Sequence, residues 1–204
     1  MNPIKAHWEK IYKNKEPEEL SWTEETPRIS LSFIHRFQLP QTARIIDVGG
    51  GESKLAECLL NEGFENITVL DIAENSIARA KIRMGNKSAK IKWIVQDVLE
   101  FKPDILYDCW HDRAAFHFLT KPDQISRYVS LVSQYVRSGG YLVIGTFSKN
   151  GPEKCSGLSI TQYNEEILTV VLAHGFEKIN CITHDHLTPF HSIQNFIYCA
   201  FQRR

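Results

Sequence analysis

The stretch ARIIDVGGGES, from Ala43 to Ser53, sets Ile45, Ile46 and Val48 around one aspartate, Asp47, and then breaks into three glycines. A short, mostly apolar run bounded by glycine reads as a buried strand. Gly49 and Gly51, two apart, leave room for a ligand to approach the backbone and the terminus of the helix that follows. That helix reads from SKLAECLLNEG, in which Leu55, Cys58, Leu59 and Phe64 recur near helical spacing and Gly63 marks the stop.

The same alternation continues downstream. ITVLDI reads as a second strand, Glu74 to Met84 as a helix ending near Gly85, IKWIVQDV as a third strand and DILYDCW as a fourth. A helix from Asp123 to Val136 then precedes a fifth strand, GGYLVIGTF. Successive β and α units imply right-handed crossovers and a parallel sheet covered on both faces. After a helix over Glu165 to His174, EKINCITH and NFIYCAFQ lie only ~10 residues apart, too close for a helical crossover, so they are expected to form an antiparallel hairpin at the sheet edge. The expected fold is therefore α/β, Rossmann-like, with seven mostly parallel strands, helices on both faces and a C-terminal hairpin. The first ~40 residues, with Trp8, Tyr12, Trp22 and Phe33, are expected to be helices or loops preceding it.

The 204 residues, 43% of them hydrophobic, fit one domain, residues 1–204, with a core of its own. Equal numbers of basic and acidic residues, 24 each, argue against a chain held to nucleic acid by phosphate contacts. The apolar runs are too short for a membrane helix, and the start MNPIKAHWEK lacks the apolar core of a signal peptide, so a cytoplasmic location is expected and no membrane partner. The composition leaves the oligomeric state open. Cys58, Cys109, Cys155, Cys181 and Cys199 are odd in number and form no CxxC pair; they read as reduced thiols rather than a disulfide framework or a zinc ribbon.

A nicotinamide-type fingerprint would place a third glycine where Lys54 stands, and the anionic Asp47 is a poor neighbour for a pyrophosphate. Asp47 suits a cationic or amine-bearing ligand better. About twenty residues beyond Gly51 the second strand ends at Asp71, where such folds place the acid that accepts from a ribose diol. Asp97 ends the third strand. IIDVGGG, LDI and QDV together resemble the class I S-adenosylmethionine-dependent methyltransferases. The resemblance implies S-adenosyl-L-methionine as cofactor, its methionyl part at Asp47, Gly49 and Gly51, its ribose at Asp71 with Ile72, and its adenine at Asp97 with Val98. HWEKIY and LSW further resemble a subgroup of small thiopurine methyltransferase-like and lysine methyltransferase-like enzymes. In these, N-terminal aromatic residues close over the cofactor, which implies that role for Trp8, Tyr12 and Trp22 within a covering segment of residues 1–40. Plain packing of a helix explains the same aromatics.

Methyl transfer requires a positioned nucleophile and exclusion of water, with a base optional. Candidates for chemistry lie beyond the carboxyl ends of the strands. His111, following the fourth strand, is the candidate catalytic base, although the lysine methyltransferase-like relatives have no histidine there. Arg113 occupies the place of a basic residue that lies near the cofactor in those relatives; Asp112 and Arg113 could also pair or cap a helix. His117 reads as a core or surface residue. Trp110 and Phe147 point to an aromatic, partly apolar acceptor pocket. The loop THDHLTPFHSIQ, similar in bacterial relatives that carry a histidine, proline and glutamine here, offers His186, Pro189 and Gln194 for substrate contact. His184, Asp185, His186 and His191 have ligand chemistry for a metal, but methyl transfer needs none and a pocket wall accounts for them. The expected function is methyl transfer to a small-molecule acceptor. A protein-lysine methyltransferase is the alternative, and a cofactor-binding module without turnover the non-enzymatic one.

Overall fold

The computed structural model describes residues 2–204. Asn2 caps the first helix, α1 (Pro3–Asn14), its side chain accepting from the Ile4 N–H while Pro3 occupies a position that needs no donor. A short turn leads to α2 (Arg28–Arg36) and then to β1 (Arg44–Val48), the strand read from the glycine-bounded run. There follow α3 (Leu55–Asn61), β2 (Asn66–Asp71), α4 (Glu74–Met84), β3 (Ile91–Val95), β4 (Tyr107–Arg113), α5 (Pro122–Tyr135) and β5 (Val136–Phe147). The chain closes with a small pair, β6 (Lys154–Cys155) and β7 (Leu158–Ser159), then α6 (Glu165–Leu172), β8 (Phe176–Leu187) and β9 (Ile193–Arg203).

Seven strands form one sheet in the order β3-β2-β1-β4-β5-β9-β8. All neighbours pair in parallel except β9, which runs antiparallel to both β5 and β8. The order reverses between β1 and β4, and at such a switch point the strand ends diverge and leave a crevice for a ligand. Alternate residues of β1 serve different helices. Ile46 and Val48 pack with Tyr128 and Leu131 of α5 and Leu168 of α6, whereas Ile45 packs with Leu31 and Ile34 of α2 and Leu55 and Leu59 of α3. Burial on both faces explains why this strand reads as a nearly continuous apolar run.

Three sequence expectations need correction. The hairpin strands extend to Leu187 and Ile193, so only residues 188–192 turn, and His184, Asp185 and Gln194 belong to strands rather than to a loop. His184 and Asp185 lie on β8, the edge strand of the sheet, so their polar character reflects that edge and not the absence of ladder bonds. β4 continues through His111 and Asp112 to Arg113, because its pairing with β1 and β5 runs on past the apolar residues. The cysteines are not all free thiols: the β8–β9 register sets Cys181 opposite Cys199, and the two are joined by a disulfide. Cys58, Cys109 and Cys155 remain free. No described helix is long and apolar enough to cross a membrane.

Candidate functional site

Two adjoining cavities open at the carboxyl ends of β1 to β4. The first, about 480 Å³, is floored by Gly49 after β1, Asp71 and Ile72 at the end of β2, and Asp97 and Val98 after β3. Gly49 has φ +66°, and a Cβ there would stand 2.8 Å from the Ala115 Cβ. At Gly51, φ +29°, a Cβ would stand 2.5 Å from Asp71 Oδ2. These two positions need glycine for both reasons, backbone conformation and close approach. The turn thereby packs directly against the carboxyl of the next strand. Asp71 Oδ1 accepts the Ala73 N–H at 2.8 Å. Burial pushes this carboxyl up to about 7, against the pull of the Ala73 N–H and the Ser76 hydroxyl, with the charge of Asp47 adding to the rise. Asp97 Oδ1 accepts the Leu99 N–H at 3.0 Å, and its Oδ2 accepts from Asn2 Nδ2 at 3.1 Å.

The roof of this cavity is the N-terminal segment. Trp8, Tyr12 and Trp22 all line it. They pack edge to face, Trp8 with Trp22 at 5.7 Å and with Phe118 at 5.1 Å between ring centroids. Helix α1 is pinned by charge as well. Glu9 accepts from the Glu74 and Asn75 N–H groups at 2.7 and 3.1 Å, capping α4 from another element, and Arg79 donates to the Tyr12 carbonyl at 2.9 Å. Neither Glu9 nor Arg79 stood out in the sequence, since their partners lie 65 and 67 residues away.

The second cavity, about 450 Å³, shares Tyr12, Trp22, Gly49, Arg113 and Ala114 with the first. At its base three buried side chains form a chain of hydrogen bonds. Asp47 Oδ1 lies 2.7 Å from His111 Nδ1, and His111 Nε2 lies 2.8 Å from Ser30 Oγ of α2. Asp47 Oδ2 is buried without a partner. Ser30 could not be found from the sequence, because α2 brings it to His111 across 81 residues. Above them the segment around Glu24 is latched down. Arg113 donates to the Trp22 carbonyl and pairs with Glu24 at 3.3 Å, while His186 donates to the Ser21 carbonyl at 2.7 Å and stands 3.4 Å from Glu24. Burial pushes the Glu24 carboxyl up, but the His186 contact and the Arg113 charge outweigh it and hold the group below its ordinary value.

Of the residues expected to bind cofactor, Trp8, Tyr12, Trp22, Gly49, Asp71, Ile72, Asp97, Val98 and Arg113 line the first cavity. Asp47 lines the second instead, and Gly51 lines neither, supporting Asp71 from behind. Trp110 and Phe147 are corrected to core residues. On β4 successive side chains point to opposite faces, so His111 and Arg113 face the cavities while Trp110 and Asp112 face α5. There Trp110 Nε1 donates to the Tyr128 hydroxyl at 3.2 Å, which donates to Asp112 Oδ2 at 2.7 Å. Asp112 also accepts from the Ala115 and Phe116 N–H groups, so it caps the following turn and does not pair with Arg113. Phe147 packs on Phe196 and on the buried His117, whose pKa burial lowers to about 3. His186 and Gln194 line neither cavity, whereas Pro189 lines the second.

A family described as a methyltransferase domain matches residues 45–140, the span from β1 into β5. Nodulation protein S of Rhizobium tropici is 29% identical over 104 residues, covering 51% of this chain and 43% of that protein. The eEF1A lysine and N-terminal methyltransferase of Mus musculus is 24% identical over 147 residues, 68% of this chain and 21% of that protein. The chain thus matches less than half the length of these curated relatives. Among solved structures, the 1,6-didemethyltoxoflavin-N1-methyltransferase of Burkholderia thailandensis superposes with a TM-score of 0.77 at 18% identity, over 98% of this chain and 87% of that one. The N-methyltransferase NodS of Bradyrhizobium japonicum does so with 0.65 at 17%, over 86% and 95%. Residues 45–140, which hold the glycine turn and the three acids at successive strand ends, thus match a methyltransferase domain, and the chain as a whole shares the fold of these solved methyltransferases.

Proposed function

We propose that this chain transfers a methyl group from S-adenosylmethionine to a small-molecule acceptor. The observation that carries the reading is the first cavity, where Gly49, Asp71 with Ile72, and Asp97 with Val98 meet under Trp8, Tyr12 and Trp22. The residues fit the cofactor. Asp71 offers a carboxyl to a ribose diol, and Asp97 Oδ2, with lone-pair capacity beyond its bond from Asn2, can accept from an adenine amino group. The aromatic faces of Tyr12 and Trp22, shared by both cavities, favour a sulfonium between them. When bound, S-adenosylmethionine supplies an electrophilic methyl group. The protein's part is to bind and orient the acceptor in the second cavity, to exclude water beneath the latched segment, and to take up a proton at His111 if the nucleophile carries one.

Closure of that cavity by the N-terminal segment and the C-terminal hairpin favours a small acceptor over a protein lysine, which needs an open groove. The test has two stages. Calorimetry should show S-adenosylhomocysteine binding that Asp71→Ala weakens at least ~tenfold, as expected for loss of a charge-assisted hydrogen bond. Protein incubated with methyl-labelled S-adenosylmethionine and a cell extract should then move label into the small-molecule fraction. Label in protein alone would favour the lysine reading, and binding with no transfer to either fraction would favour a module without turnover.

A further inference from the structure

His186 lies at the seam where the two ends of the chain meet, and its surroundings constrain its protonation. The side chain is buried, and both ring nitrogens face oxygen. Nε2 lies 2.7 Å from the Ser21 carbonyl, 165 residues away in sequence, and Nδ1 lies 3.4 Å from Glu24 Oε1. A carbonyl and a carboxylate are acceptors only. A neutral imidazole has one N–H and one lone pair, so it serves one of these oxygens and turns a lone pair on the other, whereas an imidazolium donates to both. The closed arrangement therefore suits the doubly protonated ring. The charged groups around it hold their state near neutral pH. Burial pushes Glu24 up, but its contacts with His186 and Arg113 keep it below its ordinary value and ionised. Burial also works against the charge of Arg113, and Tyr198 and Glu24 outweigh it. Tyr198 of β9, its hydroxyl pushed up to about 12 by burial, stays neutral. From the same strand Phe196 sets its ring at right angles to His186, 6.0 Å between centroids, and Gln194 stands opposite in register. His184, two residues along β8, exerts a smaller pull on the charge of Glu24.

We propose that His186 is the positioning residue of the roof and makes its closure depend on pH. Doubly protonated, it clamps the Ser21 carbonyl and the Glu24 carboxylate over the cavities. As pH rises the ring gives a proton to solvent, a lone pair then faces one of the two oxygens, and residues 20–25 lift away from the hairpin. Leu20, Trp22, Thr23, Glu24 and Glu25 line the second cavity and Trp22 lines the first as well, so the same movement opens both. Arg113 donates to the Trp22 carbonyl and pairs with Glu24 whatever the state of His186, which keeps the lifted segment tethered. A buried histidine poised between two acceptors thus turns a change of one proton into a change of contact between distant segments. The inference rests on the methyl-transfer reading only for what the opened cavities admit; the clamp stands on its own geometry.

Hydrogen exchange of the ligand-free protein tests the clamp. The Leu20 and Thr23 N–H groups donate to the Pro17 and Leu20 carbonyls, each at 3.1 Å, in single turns that lose their support once the segment leaves the hairpin. After correction for the intrinsic pH dependence of exchange, these amides should be at least ~tenfold better protected at pH 5.5 than at pH 8, as expected for a charge-assisted hydrogen bond made at one pH and lost at the other. His186→Gln, which does not titrate, should give the same protection at both pH values. Glu24→Gln removes the carboxylate that a neutral ring would oppose and should level the profile too; it keeps the test decisive if the His186 variant does not fold. His184→Gln should behave as wild type. Protection independent of pH in the wild type would overturn the proposal. So would a pH dependence that persists in His186→Gln or Glu24→Gln, or one that disappears in His184→Gln. With no ligand present, each of these outcomes leaves the methyl-transfer reading to the S-adenosylhomocysteine binding test, so failure of one is distinct from failure of the other.

Discussion

Asp71 joins the strand pattern to ligand binding through one property, its burial. Its pKa in the folded chain is pushed up to about 7, while an unfolded aspartate titrates near ~3.9. Between those values the native state holds a proton that the unfolded state has lost. The contribution of Asp71 to stability therefore falls as pH rises through that window. Binding has the opposite sign, because a ribose diol donates to the ionised carboxylate and not to the neutral acid. S-adenosylhomocysteine affinity is accordingly expected to rise ~tenfold between pH 6 and pH 8, and calorimetry of wild type and Asp71→Asn across that range checks it. A pH dependence that persists in the asparagine variant would assign it to another group. The residue's position was legible because a parallel strand reads as an apolar run and its last residue can be counted. The value of its pKa was not, since Gly51, Ser76 and Asp47 close around it only in three dimensions.

Among the elements, α1 has most of its weight in contacts with α4. Its aromatic face, Trp8 and Tyr12, is buried against Leu20, Ala73, Trp22 and Phe118, so these residues form a packed cluster in the structure itself. Glu9 adds a cap for α4 by accepting two of its first N–H groups, an arrangement favoured by the partial positive charge of a helix N-terminus. Glu9→Ala should destabilise the protein by about 1 kcal/mol, the usual cost of a lost cap. The same change should loosen the roof of the first cavity. Hydrogen exchange over residues 3–14 is expected to quicken at least ~tenfold in Glu9→Ala and to slow again on adding S-adenosylhomocysteine. Unchanged exchange over those residues, with unchanged ligand affinity, would leave α1 as packing without a covering role. The aromatic spacing of this helix was visible in HWEKIY; its anchor was not, because a glutamate with Lys5 and Lys13 four residues to either side reads as a member of an ordinary solvated helix face.

At the scale of the whole molecule the two ends of the chain meet over the second cavity. Glu24, from the N-terminal segment, sits between Arg113 of β4 and His186 of β8. Residues in such a network couple by ~0.5–3 kcal/mol, so Glu24→Gln and His186→Ala should be non-additive in a double-mutant cycle measured by denaturant unfolding. Additive effects would mean that hairpin and segment close the cavity independently. Sequence alone determined what depends on local order: the strands and helices, the parallel sheet with its terminal hairpin, and the three acids at strand ends, because periodicity and glycine breaks are written residue by residue. Tertiary structure decided the rest. Alternation along β4 turned Trp110 into the core and His111 toward the cavity, the β8–β9 register brought Cys181 to Cys199, and α2 delivered Ser30 to His111. Each of these depends on register or on a contact between distant segments, and a one-residue shift in pairing would have reversed it.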